Sequence, residues 1–556
     1  MLVSEYMALF FQAKGIRCFF GFQGSAMLKM AVEFEAAGIS YIQNFHEQAS
    51  AFAADGFARA SGKPAVAMAT SGPGAANLIG GIADAYFDGV PVFFVTGQYN
   101  SQFVFQRGKA RQNGFQDMDV IAMTKQITKA AVILSHPEDI KQELNRLWEI
   151  MLEGRKGPVL LDIPIDFQFA TISEETTMVK HNFFASEIAS SANKVTSFLK
   201  KAVRPLFLIG GGVRQANAIH ELHELASITK IPIISSMQGL DGYGDIYGLA
   251  GIYGETFANL AIKNADLLLI IGCRLGSQHM GKDVRRYTNA KIIHVDIDPT
   301  ELGRVASEEL SIQKDIKVFL KEFISSIKKS LPVEIEEWRS FLRNLKAELK
   351  DRIFAGHTFH PIEIAHAVMC MAGNPIVIAD VGQNQVWTAL AYRHKPGMRF
   401  LSSGGYGSMG FSLPAAIGAS YACPDTPILS FTGDGGFHMN QQELLFLQLH
   451  QRNVKCIVFN NSCLGLMREA QKKYYKSNYI GNDRQSFQCV NLERLSQVYD
   501  LPFCRIENAN DLSLAHNLIN SPRPCLIEAI VDSEIECVNV FDEMEIFSEK
   551  YKAVFA

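Results

Sequence analysis

No stretch of this chain offers the roughly 20 uninterrupted apolar residues that a membrane-spanning helix needs, although 48% of its 556 residues are hydrophobic. An excess of one charge is also missing. The formal net charge is −4 and no long basic run occurs, which excludes a broad nucleic-acid surface. The 10 cysteines show no paired metal spacing. A disulfide framework is therefore not expected, and a reducing, cytoplasmic setting is. The first 14 residues carry an apolar patch, but Glu5 and Lys14 interrupt it and no small-residue cleavage site follows. They read as a first amphipathic helix, not a signal peptide.

What is present is organised around Gly433, Asp434, Gly435 and Gly436. An apolar run with Ile428, Leu429 and Phe431 leads into them, an amphipathic segment follows over 441–451, and a second apolar run over 454–459 ends on Asn460 and Asn461. That pattern is a strand, helix, strand unit with a carboxylate at one strand end and an amide at the next. Glycines beside Asp434 let the backbone turn and approach a phosphate, while carboxylate and amide oxygens suit a magnesium-type ion. A lone Gly-Asp-Gly is as readily a surface turn. The strand patterning on both sides of 434–461 favours a metal–diphosphate site.

The length suggests about three domains. Short apolar runs at 18–22, 39–43, 65–69, 91–96 and 159–163 alternate with helix-like segments, and the runs at 204–213, 265–274, 290–299 and 375–380 end in glycines or carboxylates. The expected fold class is α/β, with three doubly wound parallel-sheet domains over 1–170, 190–330 and 355–540, a charged linker of helical character over 334–351, and a tail over 541–556. Ligands belong at the carboxyl ends of such strands. The glycine turn at Gly210, Gly211 and Gly212 and the carboxylate of Asp296 stand where a nucleotide is often held, although a glycine turn alone is weak evidence.

The strings HEQASAFAADGFARA at 46–60 and ATSGPGAANL at 69–78, taken with the pair Asp434 and Asn461, resemble thiamine diphosphate enzymes of the acetolactate synthase type over essentially the whole chain. The resemblance implies a first domain for the pyrimidine half of the cofactor, a third for its diphosphate half, and a central domain of FAD or nucleotide-binding type. It implies that Glu47 hydrogen-bonds the aminopyrimidine ring; from the residues alone, a carboxylate in a first helical turn, complementing the helix dipole, is the plainer reading. It places Phe115 and Gln116 beside the reactive carbon and Lys129 at the pocket rim. It assigns Gly382, Gln383 and Asn384 to the first diphosphate turn, the Gly407 carbonyl to the pyrimidine amino group, and Met409 to a wedge between the two cofactor rings. Gly433, Asp434, Gly435, Gly436 and Asn461 complete the thiamine diphosphate site, and Asp434, Asn461 and the carbonyl of Cys463 hold Mg2+. For FAD it points to Gly210, Gly211, Gly212, Gly251, Gly254, Arg274 and Asp296; since several members keep this domain without the flavin, flavin content stays open.

Three departures bear on the substrate. Biosynthetic members carry Arg-Phe-Asp-Asp-Arg where this chain reads Arg274-Leu-Gly-Ser-Gln278, and a neutral amide loses the forked, charge-assisted grip on an acceptor carboxylate. Leu466 and Ala470 stand where those members carry methionine and tryptophan, so a roomier acceptor side, less selective for anions, is expected. The adjacent histidines of simple decarboxylases are absent. The resemblance therefore implies a carboligase that decarboxylates a 2-oxoacid, pyruvate first, and transfers the acyl unit to a second carbonyl compound. The alternatives are a ketone or nucleotide-linked keto-sugar acceptor, and a flavin-dependent 2-oxoacid oxidase. A non-catalytic descendant of the fold predicts damage at Glu47, Asp434 or Asn461, and all three are intact. Expected partners are small molecules, not nucleic acid or a membrane, within a homodimer or homotetramer whose active sites lie between subunits.

Overall fold

The computed structural model describes residues 1–106, 108, 110–173, 190–276, 288–328, 335–350, 359–483, 485–537, 540, 547 and 550–551. Gln278 and most of the expected tail lie outside the described residues. Among the described residues no helix is long and apolar enough to cross a membrane.

Continuous runs of aliphatic residues become strands covered on both faces, as parallel sheets demand. The first sheet holds β1 (Cys18–Phe22), β2 (Ser40–Gln43), β3 (Ala65–Ala69), β4 (Val92–Gln98), β5 (Ala130–Ile133) and β6 (Val159–Pro164), in the order β2-β1-β3-β4-β6-β5. The second holds β7 (Pro205–Ile209), β8 (Ile233–Ser235), β9 (Leu267–Ile271), β10 (Lys291–Asp296) and β11 (Leu310–Gln313), in the order β11-β10-β9-β7-β8. The third holds β12 (Ile376–Ala379), β13 (Arg399–Ser402), β14 (Ile428–Gly433), β15 (Val454–Asn460), β16 (Phe503–Ile506) and β17 (Cys525–Ile530), in the order β13-β12-β14-β15-β17-β16. All pairings are parallel, and the first and third sheets share one topology.

Strands buried along their whole length, such as Ala65–Ala69 and Leu267–Ile271, stand out in the sequence. The four-residue strands β11, β13 and β16 do not, because polar residues interrupt them, and β5, apolar throughout, is too short to stand out. The segment read as a linker is the helix Glu336–Leu349, whose stripe of Trp338, Leu342, Leu345 and Leu349 packs into the central core. The Trp338 indole N–H donates to the Pro205 carbonyl at 3.0 Å, tying that helix to β7.

The first and third domains meet through the helices Glu47–Ser61 and Ser412–Ala422. Small residues let their backbones touch: a Cβ at Gly56 would lie 2.2 Å from the Ala415 carbonyl oxygen, and one at Gly418 1.7 Å from that of Ala53. Polar links flank this crossing. The Glu443 carboxylate accepts from Asn44 Nδ2 at 2.9 Å and from the Phe45 N–H at 2.8 Å, and Arg59 donates to the Ser402 carbonyl at 3.1 Å.

Candidate active site

The strand ends of the third sheet assemble one face of the site. β14 delivers Asp434 as the first residue of the helix Asp434–Asn440, where the helix dipole favours an anion. The tight glycine turn expected here is absent: Gly433 has φ −83°, an ordinary extended value. The neighbouring glycines serve close approach. A Cβ at Gly435 would stand 2.5 Å from Leu464 Cδ2 and 3.1 Å from Met409 Cε, and one at Gly436 2.8 Å from Asp380 Oδ1. Asp434 accepts from the Gly435 N–H at 2.8 Å, while its Oδ2 is buried without a hydrogen-bond partner. Burial pushes this carboxyl up to about 7 against the pull of backbone N–H groups at 435 and 461–463. An orphaned carboxylate oxygen of this kind is the chemistry a cation completes.

β15 delivers Asn461, whose Nδ2 donates to Gln383 Oε1 at 3.0 Å and whose Oδ1 accepts from the Cys463 N–H at 3.2 Å. β12 leads to Gly382 at φ +118°, in the region that favours glycine. Asn384 Nδ2 donates to the Val381 carbonyl at 3.0 Å and would be 3.4 Å from a Cβ at either Gly382 or Gly433, whereas Asn384 Oδ1 is buried and unpartnered. Asp434, Asn461 and the Cys463 carbonyl offer oxygen donors only, which fits Mg2+ and not a soft metal.

The loop carrying Gly407 and Met409 is held by residues that sequence reasoning did not single out. Asp380 ends the first strand of this sheet, and its carboxylate accepts from the N–H groups of Val381, Gly410 and Ser412, each at 3.0 Å. Ser403 Oγ accepts from the N–H of Gly407 at 2.8 Å and of Ser408 at 3.0 Å. Gly407 and Gly410 take φ +74° and +80°. Half-buried Met409 thus faces the Asp434 turn from a clamped loop.

On the first sheet, β2 leads into Glu47, the first residue of its helix, behind the N-cap His46. Glu47 is 7% exposed, and Asn77 Nδ2 donates to its Oε2 at 3.0 Å. A Cβ at Gly74 would lie 3.1 Å from its Oε1. Gln116 packs on the same loop, its carbonyl oxygen 2.8 Å from where a Gly72 Cβ would be, and takes φ +60°. Phe115 beside it is 75% exposed. Lys129 stands apart, before β5 and at the opposite sheet edge, its ammonium held by the Glu153 carbonyl. Asn77 lay inside a quoted string, yet only the fold reveals its contact with Glu47. Among the described residues no hydrogen bond joins Glu47 to Asp434 or Asn461.

A cavity of about 360 Å3 opens between all three domains, lined in part by Gly211, Gly212, Arg274 and Asp296. A Cβ at Gly211 would intrude to 3.2 Å from Gln238 Cβ, so that glycine keeps the space open. Asp296 accepts from the Asp298 N–H at 2.9 Å and is pushed up by burial. Arg155, from the first domain, pairs with Asp298 and Glu301 on the rim. Gly210 does not line this space; its close neighbour is the Gly272 carbonyl. Gly251 and Gly254 form a separate turn closed at 2.8 Å and braced by Asn259. The phosphate-scale cradle and the terminal carboxylate suit a nucleotide.

Comparison with known proteins accords with this geometry. Residues 1–123 match the thiamine pyrophosphate enzyme N-terminal TPP binding domain, 192–323 the central domain, and 380–529 the C-terminal TPP binding domain. The acetolactate synthase isozyme 1 large subunit of Escherichia coli is 34% identical over 541 residues, spanning 96% of this chain and 94% of its own. The acetolactate synthase large subunit of Cyanidium caldarium is 32% identical, with 94% and 92% covered. A probable acetolactate synthase large subunit of Methanocaldococcus jannaschii is 33% identical, with 94% and 90% covered.

Proposed function

Since the chain belongs to the acetolactate synthase-like family of thiamine pyrophosphate enzymes, we propose that it decarboxylates a 2-oxoacid, pyruvate first, and joins the acyl unit to a second 2-oxoacid. The observation that carries this reading is the buried, unpartnered Asp434 Oδ2 beside Asn461. A cation that also binds a diphosphate would satisfy that oxygen.

Thiamine diphosphate, when bound, supplies an acidic carbon that serves as nucleophile toward the 2-oxoacid carbonyl and takes up the electron pair left by carbon dioxide. The chain's own residues do the rest. Asp434, Asn461 and the Cys463 carbonyl would hold Mg2+, which would bind the diphosphate in turn. Glu47, its Oε2 tied to Asn77, would face the pyrimidine ring with Oε1 and exchange a proton with it. Met409, on its clamped loop, would lie between the cofactor's two rings, and Phe115 would help keep water from the reacting carbon once a neighbouring subunit covers it. If the chain carries FAD, the central cavity lined by Gly211, Gly212, Arg274 and Asp296 would hold it.

Glu47→Gln should abolish carbon dioxide release from pyruvate while thiamine diphosphate still binds. Near-normal turnover would rule out this assignment. The second reading, a ketone or nucleotide-linked keto-sugar acceptor, is favoured by neutral Gln278 and small Ala470. Pyruvate supplied alone separates the two, since abundant acetolactate supports the first and weak turnover the second; hydrogen peroxide would instead mark an oxidase. Two subunits share each site in this reading, supported by the exposure of Phe115 at 75%. A monodisperse, fully active monomer in analytical ultracentrifugation would overturn it. Ten free thiols suit a reducing, cytoplasmic compartment.

A further inference from the structure

Glu469 lies on the helix Gly465–Tyr474, just beyond the Asn461–Cys463 loop. Its Oε1 accepts from the Cys537 N–H at 2.8 Å and from Gln383 Nε2. Gln383 Nε2 donates also to the Ile535 carbonyl at 3.0 Å. A carbonyl can only accept, and an ionised carboxylate likewise, so the nitrogen end of the Gln383 amide must face these two partners. Its oxygen end then points the other way, where it accepts from Asn461 Nδ2 at 3.0 Å. With that nitrogen committed, Asn461 turns Oδ1 toward its own loop, where it accepts from the Cys463 N–H at 3.2 Å and keeps a second lone pair. Packing holds the middle of the relay: Gln383 is 5% exposed, and even a Cβ at Gly465 would lie 1.8 Å from its Oε1.

We propose that Glu469 is a positioning residue whose carboxylate sets two amides in series, Gln383 and then Asn461, so that Asn461 presents oxygen and not nitrogen to the metal. The proposal rests on the metal–diphosphate reading of the Asp434 to Asn461 region. A glutamine at 469 keeps an oxygen toward the Cys537 N–H and Gln383 Nε2, so it preserves the relay. An alanine removes that acceptor and leaves the Ile535 carbonyl alone to orient Gln383. Substitution of such outer partners of metal ligands weakens metal binding by about 10–100-fold.

The test is a Mn2+ titration of the apo-protein with thiamine diphosphate present, read by electron paramagnetic resonance and independent of turnover, with melting curves recorded without metal. Glu469→Ala is expected to raise the Mn2+ dissociation constant about 10–100-fold, and Glu469→Gln by less than about tenfold. Equal losses in the two variants would assign the effect to charge alone and overturn the proposal, as would unchanged affinity in Glu469→Ala. If Glu469→Ala does not fold, Glu469→Met, which also lacks the acceptor, takes its place with the same two outcomes. Failure of the wild type to bind Mn2+ would instead overturn the metal reading beneath it.

Discussion

Replacing Gly418 with alanine should force the two cofactor domains apart. The new Cβ would stand 1.7 Å from the Ala53 carbonyl oxygen, 2.6 Å from its carbon and 3.0 Å from its Cα. A close carbon-to-oxygen contact is about 3.3 Å, so the helices Glu47–Ser61 and Ser412–Ala422 must separate by roughly 1.5 Å. Two effects compete. Alanine gains about 1 kcal/mol of helix propensity over glycine, while overpacking costs about 1–3 kcal/mol where neighbours can adjust. Here all three nearest atoms are backbone, so no side chain can rotate away and the steric term should win by about 2 kcal/mol. The displacement also reaches the chemistry. Glu47 begins one helix, and the other begins two residues after Gly410, which Asp380 holds. A shift of about 1 Å at a reacting group costs on the order of 100-fold in rate. Melting curves and carbon dioxide release at saturating thiamine diphosphate and Mg2+ measure both consequences. A Gly418→Ala protein that melts with the wild type and turns over at its rate would refute the reasoning.

Other expectations follow from single groups. Burial and the carboxylates of Asp55 and Asp88 push Asp84 up to about 8 against the pull of Arg59 and Ser408. The folded protein thus keeps a proton that the unfolded chain releases near pH 4, so this contribution to stability is complete below about pH 4 and falls as pH rises to about 8. Asp84→Asn should therefore lose less melting temperature than the wild type between pH 6 and pH 9, and parallel curves would contradict this. Among the 10 cysteines Cys370 is the exposed one, and burial raises the other thiols. One thiol per native chain should react fast with an aromatic disulfide reagent, and Cys370→Ser should lose that phase; a fast phase left intact would refute the assignment. Asp380→Ala should strand the N–H groups of Gly410 and Ser412, at about 1–3 kcal/mol for each buried donor. Its expected signature is weakened binding of thiamine diphosphate by isothermal calorimetry, and unchanged binding would show that the Met409 loop needs no such clamp.

Much of the architecture was legible because buried parallel strands read as unbroken aliphatic runs. Ile428–Gly433 and Val454–Asn460 were placed by that signal, and Asp434 and Asn461 by their positions at strand ends. Polar residues break β11, β13 and β16, and β5, though apolar throughout, is only four residues long; 334–351 read as a linker because its charged face dominates while the Trp338 stripe shows only at helical spacing. Gln278, proposed to bear on the acceptor, lies outside the described residues and stands on sequence alone.

Local sequence, then, determined the elements, the strand ends where ligands gather, and the kinds of oxygen donor placed there. Each of those follows from neighbours within a few residues, through periodicity, turn preference and burial. Only the tertiary structure decided which distant groups meet: Asn77 with Glu47, Asp380 with Gly410 and Ser412, Glu443 with Asn44, Glu469 with Gln383, and Gln383 with Asn461. A side-chain hydrogen bond between remote segments leaves no period in the chain, because its partners are brought together by packing of the sheets and not by the residues beside them.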